Sequence, residues 1–215
     1  RHKKAFSCQA KMIQLHDHDK MDDAGNYYCA LGWAFARGKD KDINHYDKEQ
    51  KIFSACAGDA IYRKKIIDRI GDFDEEHFAY LEDVDLGYRA RIAGYENWYE
   101  PEARVYHVGS ATTGTRYNEK KVFLAARNTI FVVYKNMPLI QIILNSPFIL
   151  LGIFVKTLFF MKKGFGATYA KGIRAGICLS ASKAGRAHKV PFTGRNLLHY
   201  CSLQLQLWVN LFRRV

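Results

Sequence analysis

The sequence predicts an α/β half followed by an all-helical half, and three observations carry that expectation. Up to about residue 115, short apolar runs bounded by polar turns alternate with stretches of helical spacing, as strands interleaved with helices do. Beyond Asn118 apolar residues recur three and four apart, as on one helix face. The charge changes at the same place. Residues 1–114 carry 17 Lys or Arg against 20 Asp or Glu, whereas residues 115–215 carry 16 against Glu119 alone. The chain is therefore divided into residues 1–115 and residues 116–215.

Taken in order, the apolar run 5–15 predicts a strand, closed by a charged loop at 16–23. A second strand is expected over 27–36, a loop over 38–50, and a buried strand over 52–57 that stops at Gly58. Helical spacing over 63–70 ends at Gly71, and a short helix over 85–93 ends at Gly94, glycine being the residue that closes helices most readily. Short strands at 97–99 and 104–107 flank Pro101, which has no N–H to give to a sheet. In the second half Val122, Ala125, Ala126, Ile130, Val133 and Tyr134 mark one helix. No charge falls within 136–155, and 20 apolar residues in a helix match the thickness of a bilayer core. Asn136, Pro138, Gln141, Asn145, Ser146 and Pro147 interrupt that stretch, so 137–161 reads as a broken, interfacial hairpin in preference to a span. Two more helices are expected near 166–183 and 196–212.

An apolar content of 48% excludes a disordered chain, and 215 residues suffice for one large or two modest cores. The five cysteines are odd in number, widely spaced and form no CxxC pair, which excludes a disulfide framework or zinc knuckle and fits a reducing cytosol. The chain starts at Arg1 with no signal-peptide pattern after it, so a piece of a longer protein is expected.

Carboxylates concentrate in 71–94. The aromatic run Phe78-Ala79-Tyr80-Leu81 delivers Glu82 and Asp83 to the mouth of a short helix, where free N–H groups and the helix dipole favour the ionised form. An Asp there, with an ordinary pKa of about 3.9, is expected to be ionised at neutral pH. As a general base toward an alcohol it contributes roughly 10² to 10⁴ in rate. The same residues equally serve as helix caps. Neighbours one or two apart do not share a helix face, so at most two of Glu82, Asp83 and Asp85 serve one site.

The order of segments resembles that of family 2 glycosyltransferases, inverting enzymes of the GT-A fold, and in particular their rhamnosyltransferase-like branch. Those proteins carry Gly-Phe-Asp-Glu, an aromatic run, then Glu-Asp-x-Asp-Leu-x-x-Arg and a Gly. Here Asp72-Phe73-Asp74-Glu75, Phe78 to Leu81, Glu82-Asp83-Val84-Asp85-Leu86, Arg89 and Gly94 follow in that order, with Asp72 in place of the first Gly. Ser54-Ala55-Cys56-Ala57-Gly58-Asp59-Ala60 resembles the family's loop beside the donor sugar, with an unusual Asp59. Pro101 to His107 resembles the strand whose final His helps hold a metal. The likeness covers roughly residues 5–136.

The resemblance implies that residues 1–115 are the acceptor-side catalytic half of a GT-A type mixed-sheet domain. It implies transfer of one sugar, with inversion, from a nucleotide-sugar donor to a hydroxyl of a lipid-linked or cell-envelope glycan acceptor. Asp83 is then the base and Glu82 contacts the acceptor or supports Asp83. Gly58 and Asp59 lie beside the donor. Arg89 lies at the donor or acceptor, or braces the helix through Asp85, and His107 touches the metal. A divalent ion, Mg or Mn, is implied, held mostly by residues upstream of this chain, so the 215 residues alone are expected to be nearly inactive. Asp17-His18-Asp19 imitates the metal motif but follows a strand that matches a later position, and it reads as solvated.

The basic second half lacks a nucleic-acid reader motif, and an anionic membrane surface is the expected partner. Each basic residue near such a surface contributes about 1 kcal/mol. Gln204 to Trp208 lacks the Arg of the Gln-x-x-Arg-Trp motif found in processive synthases, so single-sugar transfer is expected. The implied location is the cytoplasmic face of the cell membrane, peripheral or partly inserted. A non-catalytic membrane-docking or scaffold protein on a degenerate transferase fold is the competing reading.

Overall fold

The computed structural model describes residues 2–109 and 117–213, so the expected boundary at 115/116 lies outside the described residues. Six strands come first: β1 (Ala5–Gln14), β2 (Asp17–Asp23), β3 (Asn26–Cys29), β4 (Trp33–Ala36), β5 (Gln50–Ile52) and β6 (Ala60–Tyr62). Helices α1 (Lys64–Ile70) and α2 (Glu82–Ile92) and strand β7 (Glu96–His107) follow. Helices α3 (Glu119–Asn136), α4 (Leu139–Lys162), α5 (Gly166–Ala181), α6 (Lys183–Ala187) and α7 (Leu197–Phe212) complete the chain. The architecture is α/β, as expected.

The main sheet is mixed. β1 and β7 run parallel at its centre, β5 is antiparallel to β7, and β2 and β6 lie antiparallel to opposite ends of β1. Segment 16–23 is thus half of a hairpin, not a loop. Its outer residues are exposed and only Met21, Asp22 and Asp23 turn inward, so no alternation of apolar residues marks it. The 27–36 stretch is likewise two strands, β3 and β4, joined at Gly32, whose φ of +71° suits glycine. The two short strands around Pro101 are one strand. A register shift between Ala10 and Lys11, opposite the Glu100–Arg104 stretch, removes the ladder bond that Pro101 cannot make.

Helices and sheet share a core. Phe53, Val84 and Tyr88 from the first half pack with Val132, Val133, Leu203 and Leu207 from the second. α5 lies close on α3 through a stripe of small residues. A Cβ on Gly172 would stand 2.6 Å from the Phe123 carbonyl oxygen, and one on Gly176 would stand 2.5 Å from that of Arg127. The expected hairpin at 137–161 is instead one continuous helix of 24 residues with Pro147 inside it. Proline leaves the carbonyl four residues earlier without its N–H, and here Ser146 Oγ donates to that Ile143 oxygen at 2.8 Å. The replacement keeps the helix whole.

An ion cluster lies between α2, α3 and the segment before α2. Lys135 Nζ donates to Asp74 Oδ2 at 2.5 Å and to Asp85 Oδ2 at 2.7 Å, and all three residues are buried. Asn136 Nδ2 and Arg89 Nε also donate to Asp85, while His188 Nδ1 lies 2.8 Å from Asp74 Oδ2. Burial works against the charge on Asp74, but the bonds from Lys135 and His188 hold its pKa down to about 2. Asp74, His77 and Asp85 present ligand atoms within 4.8 Å of one another, as at a metal centre. The Lys135 ammonium already meets both carboxylates, so the cation there is the lysine. Removing one partner of a buried pair strands the other charge. Lys135→Met is therefore expected to lower unfolding free energy by about 3–5 kcal/mol, read as a fall in the urea midpoint.

Candidate active site

α2 sets the position of the candidate base. The helix presses on the segment after β5, and a Cβ on Gly87 would come within 2.3 Å of Ser54 Cβ, so only glycine permits the approach. Asn97 Nδ2 donates to the carbonyls of Phe53 and Gly87 at 2.6 and 3.2 Å, and Ser7 Oγ donates to Asn97 Oδ1. These buried bonds fix the middle of α2 against residues 53–54, just ahead of the loop at residues 56–59.

The chain enters α2 under strain. Phe78, Tyr80 and Leu81 all have φ between 59° and 69°, a region that costs non-glycine residues of order 1–3 kcal/mol each. α3 holds this turn in place. The Asn128 side-chain amide, fully buried, lies 2.7–2.9 Å from the carbonyl oxygens of His77, Ala79 and Tyr80. Arg127 Nη2 donates to the carbonyls of Glu76 and His77. Sequence alone offers no sign of this clamp, because Asn128 and Arg127 lie some fifty residues from what they hold.

α2 begins at Glu82, so Glu82 and Asp83 belong to its first turn. Asp83 Oδ1 accepts the Val84 N–H at 2.7 Å; its Oδ2 accepts from Asn26 Nδ2 at 3.3 Å and from the Ala57 N–H at 3.4 Å. Among the described residues no Lys, Arg or His forms an ion pair with it. The expectation of an ordinary, low pKa is corrected here. Burial, then the charge of Glu82, push Asp83 up to about 7, against the pull of the Val84 and Ala57 N–H groups. Burial raises the Glu82 carboxyl as well, and its Oε2 is enclosed with no hydrogen-bond partner among the described residues.

A file of carboxylates leads away from Asp83. Asp23 accepts from Gln9 Nε2 and the Gly25 N–H, yet burial lifts its pKa to about 6. Burial, then Asp23 and Asp22, lift Asp59 to about 8, and both its carboxylate oxygens are enclosed without a hydrogen-bond partner among the described residues. Asp22 is the exception. Burial opposes its charge, but Lys39 and His107 outweigh it and hold the pKa down. His107 Nδ1 lies 2.5 Å from Asp22 Oδ2 at the end of β7. Sequence reading missed Asp22, Asp23 and Gln9. The available signal was the polar alternation Ser7, Gln9, Lys11 within β1, whose side chains are all buried.

The structure brings Glu82, Asp83, Gly58 and Asp59 into one neighbourhood through the Ala57 N–H and places His107 on the Asp22 side of the carboxylate file. Gly58 is exposed, and a Cβ there would meet only Met12 and Cys56 at ordinary contact distances, so the fold does not require glycine. Arg89 is turned away. Its guanidinium is taken up by Asp85 and by the carbonyls of Ile70, Gly71 and Asp72, so it braces α2 and the preceding loop. Asp17 and Asp19 sit on the exposed half of β2, and Asp17 pairs with Lys20. All five cysteines are free.

Fold and site together define an α/β protein with a desolvated carboxylate at a helix mouth facing an exposed glycine loop. No family model matches the chain. It is 35% identical over 77 residues to the N-acetylglucosaminyl-diphospho-decaprenol L-rhamnosyltransferase of two Mycobacterium tuberculosis strains, a stretch that is 32% of this chain and 25% of that protein. The chain thus spans about a quarter of the length of the curated relatives it matches, and its likeness is to a glycosyltransferase over that part.

A carboxyl whose folded pKa stands above its unfolded value keeps its proton more tightly in the fold. Its contribution to stability therefore falls as pH rises from about 4 to about 7 and is lowest above that. Asp83→Asn is expected to raise the melting temperature, by more at pH 8 than at pH 5, in parallel thermal scans.

Proposed function

We propose that this chain is the acceptor-side part of an inverting glycosyltransferase, with residues 1–115 carrying the chemistry and residues 116–215 holding it at the cytoplasmic face of a membrane. The observation that carries this reading is Asp83: a carboxylate without a cationic partner among the described residues, poised near neutral pH, beside the exposed Ala57–Gly58 loop. The likeness over 77 residues to a rhamnosyltransferase with a lipid-diphosphate-linked acceptor supports it.

In the proposed reaction an acceptor hydroxyl lies against Asp83. Its oxygen attacks the anomeric carbon of a nucleotide sugar as Asp83 takes the hydroxyl proton, and the bond from that carbon to the nucleoside diphosphate breaks on the opposite face. Glu82 raises the proton affinity of Asp83 and lies within reach of the acceptor. Gly58 leaves room for the donor sugar beside the base. His107, with Asp22, is the edge of this chain that would touch a divalent cation, and Asp59, close enough to feel the charge of Asp22, offers two oxygens without a hydrogen-bond partner among the described residues. The carboxylates of Asp22 and Asp59 are hard, anionic donors of the kind Mg and Mn take, and the His107 imidazole is a softer, neutral one. Such a cation, bound to the diphosphate, would stabilise the leaving group. Its remaining ligands would come from the donor and from protein beyond these residues.

A base that must be ionised works better as pH rises. In the complete protein, turnover is expected to climb with pH and level off above about 7. Asp83→Asn should cost roughly 10² to 10⁴ in turnover while leaving membrane attachment unchanged. Turnover that survives this substitution would favour the scaffold reading. Gly58→Val, measured in the same assay, is expected to reduce transfer with little change in melting temperature.

A further inference from the structure

α4 has two faces along its whole length. On the inner face each turn is fastened to the body. Tyr88 Oη donates to Gln141 Oε1 at 3.2 Å, and the Asn145 and Gln204 amides exchange a pair of 2.8 Å hydrogen bonds. Gly152 lies against the Leu31 carbonyl, which a Cβ would approach to 2.4 Å. Lys156 Nζ sits 5.1 Å from the centre of the Trp33 ring, and Phe160 stacks on Tyr169. On the outer face Ile140, Ile143, Leu150, Phe154, Leu158 and Met161 stand exposed, three, four or seven apart. α7 presents a matching row, Leu198, Leu205, Val209 and Phe212, with Leu198 and Phe212 both 79% exposed.

We infer that α4 and α7 lie in the plane of an anionic lipid bilayer, with their outer rows sunk in it, and that α4 does not span it. The inference rests on the membrane part of the proposed function and not on its chemistry. Length alone would permit a span, since 24 residues make a helix of about 36 Å against a hydrocarbon core of about 30 Å. The inner face forbids it. A spanning α4 would carry Gln141, Asn145, Gln204 and Lys156 into hydrocarbon together with the Leu31–Trp33 turn, whose irregular backbone has no place in lipid.

Charge identifies the occupant. The apolar rows end in cations: Lys162 and Lys163 follow Met161, Arg195 precedes Leu198, and Arg213 follows Phe212, all exposed. Residues 115–215 hold a single acid against 16 basic residues. Apolar helices bordered by Lys and Arg are the make-up of helices that rest in an anionic interface. A second copy of the chain would bring this basic rim against itself, which like charge opposes.

The test is flotation of the 215-residue chain with vesicles of phosphatidylcholine, with and without phosphatidylglycerol. The expected result is binding to the anionic vesicles only, weakened by salt and reversed by alkaline carbonate. The outward-facing pair Leu150→Glu and Phe154→Glu is expected to lower partitioning at least tenfold without changing the melting temperature. Lys162→Gln and Lys163→Gln should each lower it roughly fivefold. With Cys178 and Cys201 replaced by Ser, cysteines placed at Thr193, beside the start of α4, and at Ala167, just past its end, should react with an impermeant maleimide from the same side of the vesicle. Carbonate-resistant insertion with the two cysteines on opposite sides would establish a span and overturn the in-plane geometry alone. Equal binding to neutral vesicles, or an apolar pair that dissociates a dimer while vesicle binding persists, would overturn the choice of occupant. No binding to either vesicle would remove the membrane part of the proposed function as well, leaving the Asp83 chemistry to its own assay.

Discussion

One ammonium group holds the two halves of this molecule in register. Lys135, near the end of α3, reaches Asp74 and Asp85 in the interior, and those carboxylates belong to the loop before α2 and to α2 itself. Two buried anions side by side repel strongly in a medium of low dielectric, and a cation between them turns the repulsion into a joint. Arg89, Asn136 and His188 fill the remaining acceptor positions, so the joint also reaches α6 and the carbonyls of residues 70–72. The orientation of α2, and with it the direction in which Asp83 points, follows from this cluster and from the close contact at Gly87.

The cluster also explains how one acidic run divides its labour. Asp83 and Asp85 are two residues apart on a helix and point to different surroundings. Asp85 meets Lys135 and Arg89 and is held ionised as part of the interior, although burial opposes its charge. Asp83 is desolvated by burial and, among the described residues, meets only neutral donors and the negative field of Glu82 and Asp23, so its proton is retained to about neutral pH. On the proposed reading, fold and chemistry draw on carboxylates two residues apart in the same helix turn. The left-handed residues Phe78, Tyr80 and Leu81 belong to the same arrangement: the strained turn persists because Asn128 and Arg127 hold its carbonyls.

The helical half combines two roles that sequence-level hydropathy runs together. Its apolar residues form part of the shared core through Val132, Leu203 and Leu207, and they also form an outer surface along α4 and α7. The polar residues within the uncharged stretch separate the two. Gln141 and Asn145 face inward and are hydrogen-bonded, Ser146 repairs the helix at Pro147, and Gly152 admits the Leu31 carbonyl. What resembled interruptions of a helix are its points of attachment.

The sequence by itself determined the α/β class, the change to helices, most helix ends and the concentration of carboxylates before Gly94. These are local properties: periodicity, glycine at helix ends and charge counts are all read within a few turns of chain. The structure alone decided that β2 is a strand, that β7 runs through Pro101, and that 139–162 is one helix. Each depends on a partner far along the chain, respectively the β1 edge, the register shift opposite Pro101, and the surface that receives Gln141 to Phe160. The state of Asp83 belongs to the same group. A helix mouth would lower its pKa, but burial and the charges of Glu82 and Asp23 raise it, and burial together with Asp23 depends on how α2 packs against distant segments. Desolvation is a property of packing, and packing is not written at any single position.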